Sequence, residues 1–337
     1  MTVSVLSLLL LHIWTLITLA GHVHGSPTYT PPLDGWQPWK RTFTPILNTT
    51  SDGNTTVLNP TTLQPIPQGS ASDGSGTDFS AEAIIWLAFC FAVGVPLAFV
   101  GIKLWRATTG AGVGLAMTVC VWAAFVNTDS ADNVADLVLT IISVGAFGIG
   151  FLLGVFEIGR LAGILLLGIL GGMAFMTRIV LLRPGLLIPV FYGNWLMITL
   201  FGLIGAALVI FAQRASLVIS CASVGTFLTG LGIDLIVNKQ SGMSYGLRYL
   251  FDRNSHHYLA IVQHTWNPPI PSYIILAVSL GLTPILAYAQ HKIFSRPFEP
   301  SSSSEDIPDD TSFTQSEADI RTATATPEAK ASLDYFK

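Results

Sequence analysis

Beyond residue 80 the chain alternates between long apolar runs and short polar breaks. The runs lie near 83–102, 108–127, 134–156, 161–182, 187–212, 215–237 and 272–291. Each is about 20 residues long. At a helical rise of about 1.5 Å per residue, that length crosses a hydrocarbon core about 30 Å thick. In lipid, every backbone N–H and C=O must be satisfied within its segment or in a closed barrel. The strict alternation of barrel strands is absent, so the pattern predicts an all-α membrane protein with seven transmembrane helices over residues 81–294. Pro96 and Pro284 fall inside runs and predict kinks there.

The flanks read differently. An apolar run at 3–20 followed by small residues has the pattern of a secretory signal within 1–25. Cleavage after Ala20 or after Gly25 fits it, and an uncleaved anchor is the alternative. Residues 26–80 are rich in Pro, Ser, Thr, Asn and Gly without an apolar period, which predicts a disordered stalk. Asn48-Thr49-Thr50 and Asn54-Thr55-Thr56 are acceptor sequons, so Asn48 and Asn54 are expected to carry glycans on a lumenal or extracellular stalk. Residues 295–337 predict a disordered acidic tail. Its Ser301–Ser304 run before Glu305 and Asp306 is a candidate for phosphorylation and partner binding.

Composition narrows the class. Of 337 residues, 51% are hydrophobic and only 11% charged, with a mean hydropathy of +0.59. Soluble domains carry about 25% charge, so this chain cannot cover a water-facing surface of its own size. High hydrophobicity also excludes a mainly disordered chain. A net charge of −4 argues against nucleic acid as a partner. The body at 81–294 carries ten basic and seven acidic groups, whereas the tail carries four basic and nine acidic. Lys103, Arg106, Arg160, Arg214, Lys292 and Arg296 fall on one side of the predicted spans, and Asp129, Asp132 and Asp136 on the other, with Arg183. Basic short loops favour the cytoplasm, so the N-terminus is expected to be lumenal or extracellular and the C-terminus cytoplasmic. The setting is an integral membrane of the secretory pathway or the plasma membrane. Its partners are the lipid bilayer and unidentified proteins bound through the tail. Cys90, Cys120 and Cys221 all lie in apolar runs and are expected to be buried thiols.

A spacing recurs through the body. Arg106, Arg160 and Arg214 are 54 residues apart, and a glycine stands twelve residues before each, at Gly94, Gly148 and Gly202. This predicts that the first six helices are three Gly-rich hairpin repeats, each turning at a cytoplasmic Arg. Helices in lipid associate by close approach, which small residues permit, so these glycines are expected at helix-packing contacts. Arg178 and Asp234 lie at similar depth on corresponding helices. They are candidates for an intramembrane polar pair, the alternative being that each snorkels to the lumenal interface. His256, His257 and His264 share the longest loop with Asp252, but no recognised metal-ligand spacing results. A wet loop, part of it an amphipathic helix on the interface, is the expectation there. No catalytic, cofactor-binding or metal residue is predicted.

The body from about residue 86 to 294 resembles the domain shared by seven-transmembrane superfamily member 3 and transmembrane protein 198, in its fungal branch. The resemblance is carried by the Arg-centred Gly-rich hairpins and by Gly-Leu-Arg-Tyr-Leu-Phe-Asp at 246–252. His256-His257-Tyr258 and the stretch from Pro268 through Pro284 to Lys292 complete it. It implies a signal peptide, seven spans and no established enzymatic activity. A seven-helix receptor lacks its usual supports here: the lumenal Cys pair, an Asp-Arg-Tyr at the third helix, and long cytoplasmic loops. An intramembrane hydrolase needs a base at depth, and no His lies deep in a run. The expected role is a scaffold in signalling or trafficking; the alternative is a transporter or channel built from repeated hairpins.

Overall fold

In the computed structural model, residues 45–49, 55–128, 135–189, 191–262 and 265–294 are described. The signal segment, Asn54, His264 and the tail from 295 onward lie outside the described residues. A two-stranded antiparallel hairpin, β1 (Ile46–Thr49) and β2 (Thr55–Leu58), precedes the helices and pairs Ile46 with Leu58 and Thr49 with Thr55. The helices are α1 (Ala81–Val100), α2 (Trp105–Thr128), α3 (Asp136–Val155), α4 (Glu157–Leu181), α5 (Phe191–Phe211), α6 (Gln213–Asn238), α7 (Met243–Phe251), α8 (Tyr258–Val262) and α9 (Ile270–Ile293). Seven of them, α1 to α6 and α9, are long and apolar enough to span a membrane. Side chains such as Ile141, Leu152, Leu196, Ile210, Ile274 and Ile285 remain exposed on these spans. They would be costly in water and are natural against lipid tails.

The spans alternate in direction, which gives the bundle two faces. One, the cap face, carries the start of α1 and the ends of α2, α4 and α6. The other, the turn face, carries three brief connections: 101–104, Phe156 and Ala212.

Packing does not follow the hairpins expected from the Arg spacing. α1 and α2 are consecutive yet make at most marginal contact. The closest partnerships are α2 with α3, α4 with α5 and α6 with α1, while α4 lies against both α2 and α6, and α9 against α6. Glycines explain why these pairs win. Gly110 and Gly114 lie against Phe151 and Phe147 of α3, and Gly150 and Gly154 of α3 lie back on α2. Gly168 meets Gly205 across α4 and α5, and Gly225 of α6 meets Gly94 and Ala98 of α1. A side chain at any of these positions would hold the backbones apart and forfeit dispersion contacts.

Two of the three predicted packing glycines sit at such contacts: Gly94 against Leu228 and Thr229, and Gly202 against Met173. Gly148 does not. Nothing lies within 4 Å of where its Cβ would be, because α3 turns Gly150 and Gly154 toward α2 and leaves Gly148 on the outward face. Cys90 and Cys221 are buried as expected, but Cys120 is exposed.

The polar segment before α1 and the long loop after α6 both depart from expectation. Residues 67–80 are not a free stalk but lie on the cap face. Gln68 Nε2 donates to Ser255 O at 3.0 Å, Gly69 N to His256 O at 2.9 Å, and Gln240 Nε2 to Ser75 O at 3.1 Å. Gly74 at φ +79° and Gly76 at φ +67° make the tight turns of this segment, in a region L side chains avoid. In the loop, α7 packs into the bundle rather than resting on an interface. Met243, Leu250 and Trp266 join Met176, Val180, Leu181, Ile198 and Leu276 in one buried cluster. The Trp266 indole N–H donates to Leu181 O at 3.1 Å.

Candidate functional site: a capped apolar cavity and two buried polar junctions

Toward the cap face, α1 and α6 stand away from α2 and α4, and a cavity of about 190 Å³ opens between them. Its walls are Phe89 and Cys90 of α1, Leu115, Val119 and Trp122 of α2, Leu170 and Met173 of α4, and Val224 to Leu235 along α6. Eleven residues of α6 separate Val224 from Leu235, so the cavity runs about 16 Å along the bundle. From its floor toward the turn face, the helices close together. Gly112 meets the Gly163 backbone, Gly171 meets Ser220, and Gly101 meets Cys221.

The cap-face end of the cavity is polar and covered. Asp73, Ser75 and Ser244 line it. Asp73 Oδ1 accepts from Ser75 N at 2.9 Å and Ser75 Oγ at 2.5 Å, while Oδ2 accepts from Ser244 Oγ at 2.6 Å. The Trp122 indole N–H donates to Asp73 O at 2.9 Å, and that of Trp86 donates to Gly74 O at 3.2 Å and Thr140 Oγ1 at 3.1 Å. The two tryptophans thus use one apolar body on the cavity wall and one donor to hold the cap. At the outer edge, Lys239 Nζ pairs with Asp78 Oδ1 at 2.5 Å, an exposed pair that adds little.

Arg178 and Asp234 are both fully buried, and they do not pair. The Arg178 side chain leans back along α4, so its guanidinium lies deeper than its Cα, at the level of the middle turns of α6 and α9. Nε donates to Ala174 O at 3.0 Å. Nη1 donates to Thr226 Oγ1 at 2.9 Å, and to Ser279 O and Thr283 Oγ1 at 3.0 Å each. Nη2 donates to Ser223 O at 3.1 Å and Ser223 Oγ at 2.8 Å. Among the described residues no carboxylate forms an ion pair with it. Snorkelling to the interface is equally excluded, because the group points inward and is sealed by three helices.

Asp234 sits two turns further toward the cap face on α6. It accepts from Asn238 Nδ2 at 2.8 Å, Ser272 Oγ at 2.5 Å and the Met243 backbone N–H. The last bond satisfies an otherwise orphan donor at the start of α7, so one carboxylate joins α6, α7 and α9. Gly242 is obligatory beside it, since a Cβ there would overlap the carboxylate.

The three arginines of the repeat occupy first turns of helices at the turn face. The Arg106 and Arg160 guanidiniums lie 5.1 and 5.3 Å from the Trp105 ring centroid. Arg214 Nη2 donates to Phe294 O at 2.6 Å, at the end of α9. Asn48 lies exposed on β1. His257 is fully buried, with Nδ1 2.7 Å from Asp252 Oδ2, so the loop is not wet at that point. Among the described residues no group of three His, Cys, Asp or Glu side chains could hold a metal ion.

The cap, the cavity it covers and the acceptors of Arg178 were not anticipated from sequence. Asp73-Gly74-Ser75-Gly76 carried a turn signal. Ser223 with Thr226 and Ser279 with Thr283 formed hydroxyl pairs at helical spacing on otherwise apolar runs. No curated protein and no solved structure matches the chain. The family model described as TM7S3/TM198-like domain matches residues 87–291, from within α1 to within α9, and so covers α2 to α8 and most of the two outer spans. The cavity walls and both buried polar junctions fall almost wholly within that range, and the chain belongs to the TM7S3/TM198-like domain family.

Proposed function

We propose that this protein is a non-catalytic, multi-pass membrane scaffold acting in signalling or trafficking. The observation that carries the reading is how the bundle's interior is used. The turn-face half is closed by backbone contacts at glycines. Arg178 and Asp234, the ionisable groups one would look to for a conducting path, have their hydrogen bonds directed at neighbouring helices. The transport reading draws on the cavity and on the Arg spacing, yet the cavity stops where Gly112, Gly163, Gly171 and Ser220 pack.

In this reading the stalk and its glycans at Asn48 and Asn54 face the lumen or exterior, and the tail from residue 295 recruits cytoplasmic proteins. The experiment compares proteins retained by the full chain with those retained by a chain ending at Phe294. Loss of a defined set with the tail supports the scaffold. Identical sets for both chains, together with ion flux above that of protein-free liposomes after reconstitution, overturn it in favour of transport.

A further inference from the structure

The geometry points to a lipid site that is independent of the scaffold reading. We propose that the capped cavity holds the hydrocarbon tail of a single-chain lipid whose head group is uncharged and bears a hydroxyl.

The shape selects one chain. A 150 Å³ apolar cavity accepts a molecule the size of benzene. Here about 190 Å³ is drawn out along about 16 Å, between Val224 at the floor and Leu235 below the cap, which makes a slot rather than a bowl. The lining excludes a polar solute. Phe89, Leu115, Val119, Met173, Phe227 and Leu228 offer no hydrogen bond to a group seated among them. Thr118 is the deepest hydroxyl on the wall, and it already donates to Gly114 O at 3.0 Å.

The polar end selects the head group. Asp73 is buried there, and its Oδ2 has one described donor, Ser244 Oγ. A carboxylate oxygen accepts two hydrogen bonds, so Oδ2 has room for a lipid hydroxyl. Glu82 and Asp136, both in first helical turns, bring further negative charge to the same face. An anionic head would meet the Asp73 carboxylate with two more nearby on the same face. Of the nearby cations, Lys239 is paired with Asp78, and Arg248 donates to the Ser70 carbonyl and lies by the Tyr245 ring, so the carboxylates outnumber the positive charge around the cavity's polar end.

The test uses the full chain in nanodiscs and a long-chain alcohol carrying a diazirine near its tail end. After irradiation, adducts are mapped by peptide mass spectrometry. The expected result is saturable adducts on Leu115, Val119, Met173 and Leu228. Excess unlabelled alcohol lowers them at least fivefold, whereas the corresponding long-chain carboxylate at neutral pH leaves them nearly unchanged. Ala174→Phe, which fills the slot from α4, loses these adducts but keeps those on lipid-facing Ile141 and Leu152. Adducts confined to lipid-facing positions, or cavity adducts insensitive to the alcohol, overturn the proposal. Equal competition by the carboxylate overturns the head-group assignment. Should Ala174→Phe not fold, competition in the unsubstituted protein decides alone.

Discussion

Replacing Arg178 by methionine and by lysine separates two explanations for a cation buried at mid-bundle. In the first, the guanidinium is held by its fork geometry alone, through six contacts to neutral acceptors on α4, α6 and α9. In the second, positive charge as such is needed to neutralise an anion. Side-chain hydrogen bonds between transmembrane helices average about 0.6 kcal/mol, so the five that leave α4 sum to about 3 kcal/mol. Burying a cation without a counter-ion costs several kcal/mol. Methionine removes both terms. It also leaves the hydroxyls satisfied, because Ser223 Oγ donates to Gly171 O, Thr226 Oγ1 to Ala222 O and Thr283 Oγ1 to Ser279 O. Arg178→Met should therefore lie within about 2 kcal/mol of the parent, near cancellation. Lysine keeps the desolvation penalty but offers three donors from one point, losing about half the contacts. Arg178→Lys should cost about 2–4 kcal/mol. At about 2–4 °C per kcal/mol for a domain of this size, the Lys variant should melt about 5–15 °C below the parent. Thermal unfolding in mild detergent, followed by loss of the monodisperse elution peak, reads the order. A lysine variant as stable as the parent, beside a collapsed methionine variant, would refute the geometry and require an anion at the site.

The other predictions use the same assay or a simpler one. Gly112→Leu should destabilise by about 1–3 kcal/mol or more, because its side chain would enter the Gly163 backbone, while Gly148→Leu should change stability by less than about 0.5 kcal/mol. Asp234→Ala should cost about 2–4 kcal/mol by stranding the Met243 N–H and releasing Ser272 and Asn238, with Asp234→Asn milder. Since Arg178 and Asp234 share no partner, Arg178→Met and Asp234→Asn should add to within about 0.5 kcal/mol in a double-mutant cycle. A mobility shift on enzymatic deglycosylation should vanish when Asn48 and Asn54 are both replaced by Gln, and its absence from the parent would contradict a lumenal stalk.

What the sequence made legible was whatever depends on one segment and its solvent. The predicted run at 83–102 is α1 at Ala81–Val100, and 215–237 falls inside α6, because a bilayer imposes length and apolarity on each span separately. What it hid depends on which helix lies opposite. Gly148 and Gly150 are two residues apart and look equivalent in a run. Only the crossing of α3 on α2 makes Gly150 a contact and leaves Gly148 facing outward. Arg178 stands out in the sequence for its depth, but besides Ala174 O its acceptors belong to four ordinary hydroxyl residues on two other helices, with nothing ionic to mark them. The cap was concealed by composition. A segment rich in Gly, Ser and Pro cannot bury a core of its own, yet it can be ordered by donors that others supply, here Trp86, Trp122, Gln240 and Ser244.

The account turns on that cap: the 67–80 segment lies on the bundle and covers the polar end of the cavity. Ser75 Oγ and Ser244 Oγ are 3.4 Å apart, within reach of a disulfide once both are cysteine. The decisive measurement is oxidative cross-linking of Ser75→Cys with Ser244→Cys in a background where Cys90, Cys120 and Cys221 are Ala. A protease site placed in the 129–134 connection allows the two halves to be separated after cleavage. The account predicts near-complete retention of the halves as one species until reductant is added, and no retention for exposed Thr62→Cys with Ser244→Cys. Halves that separate without reductant, as readily as the Thr62→Cys control, would contradict it.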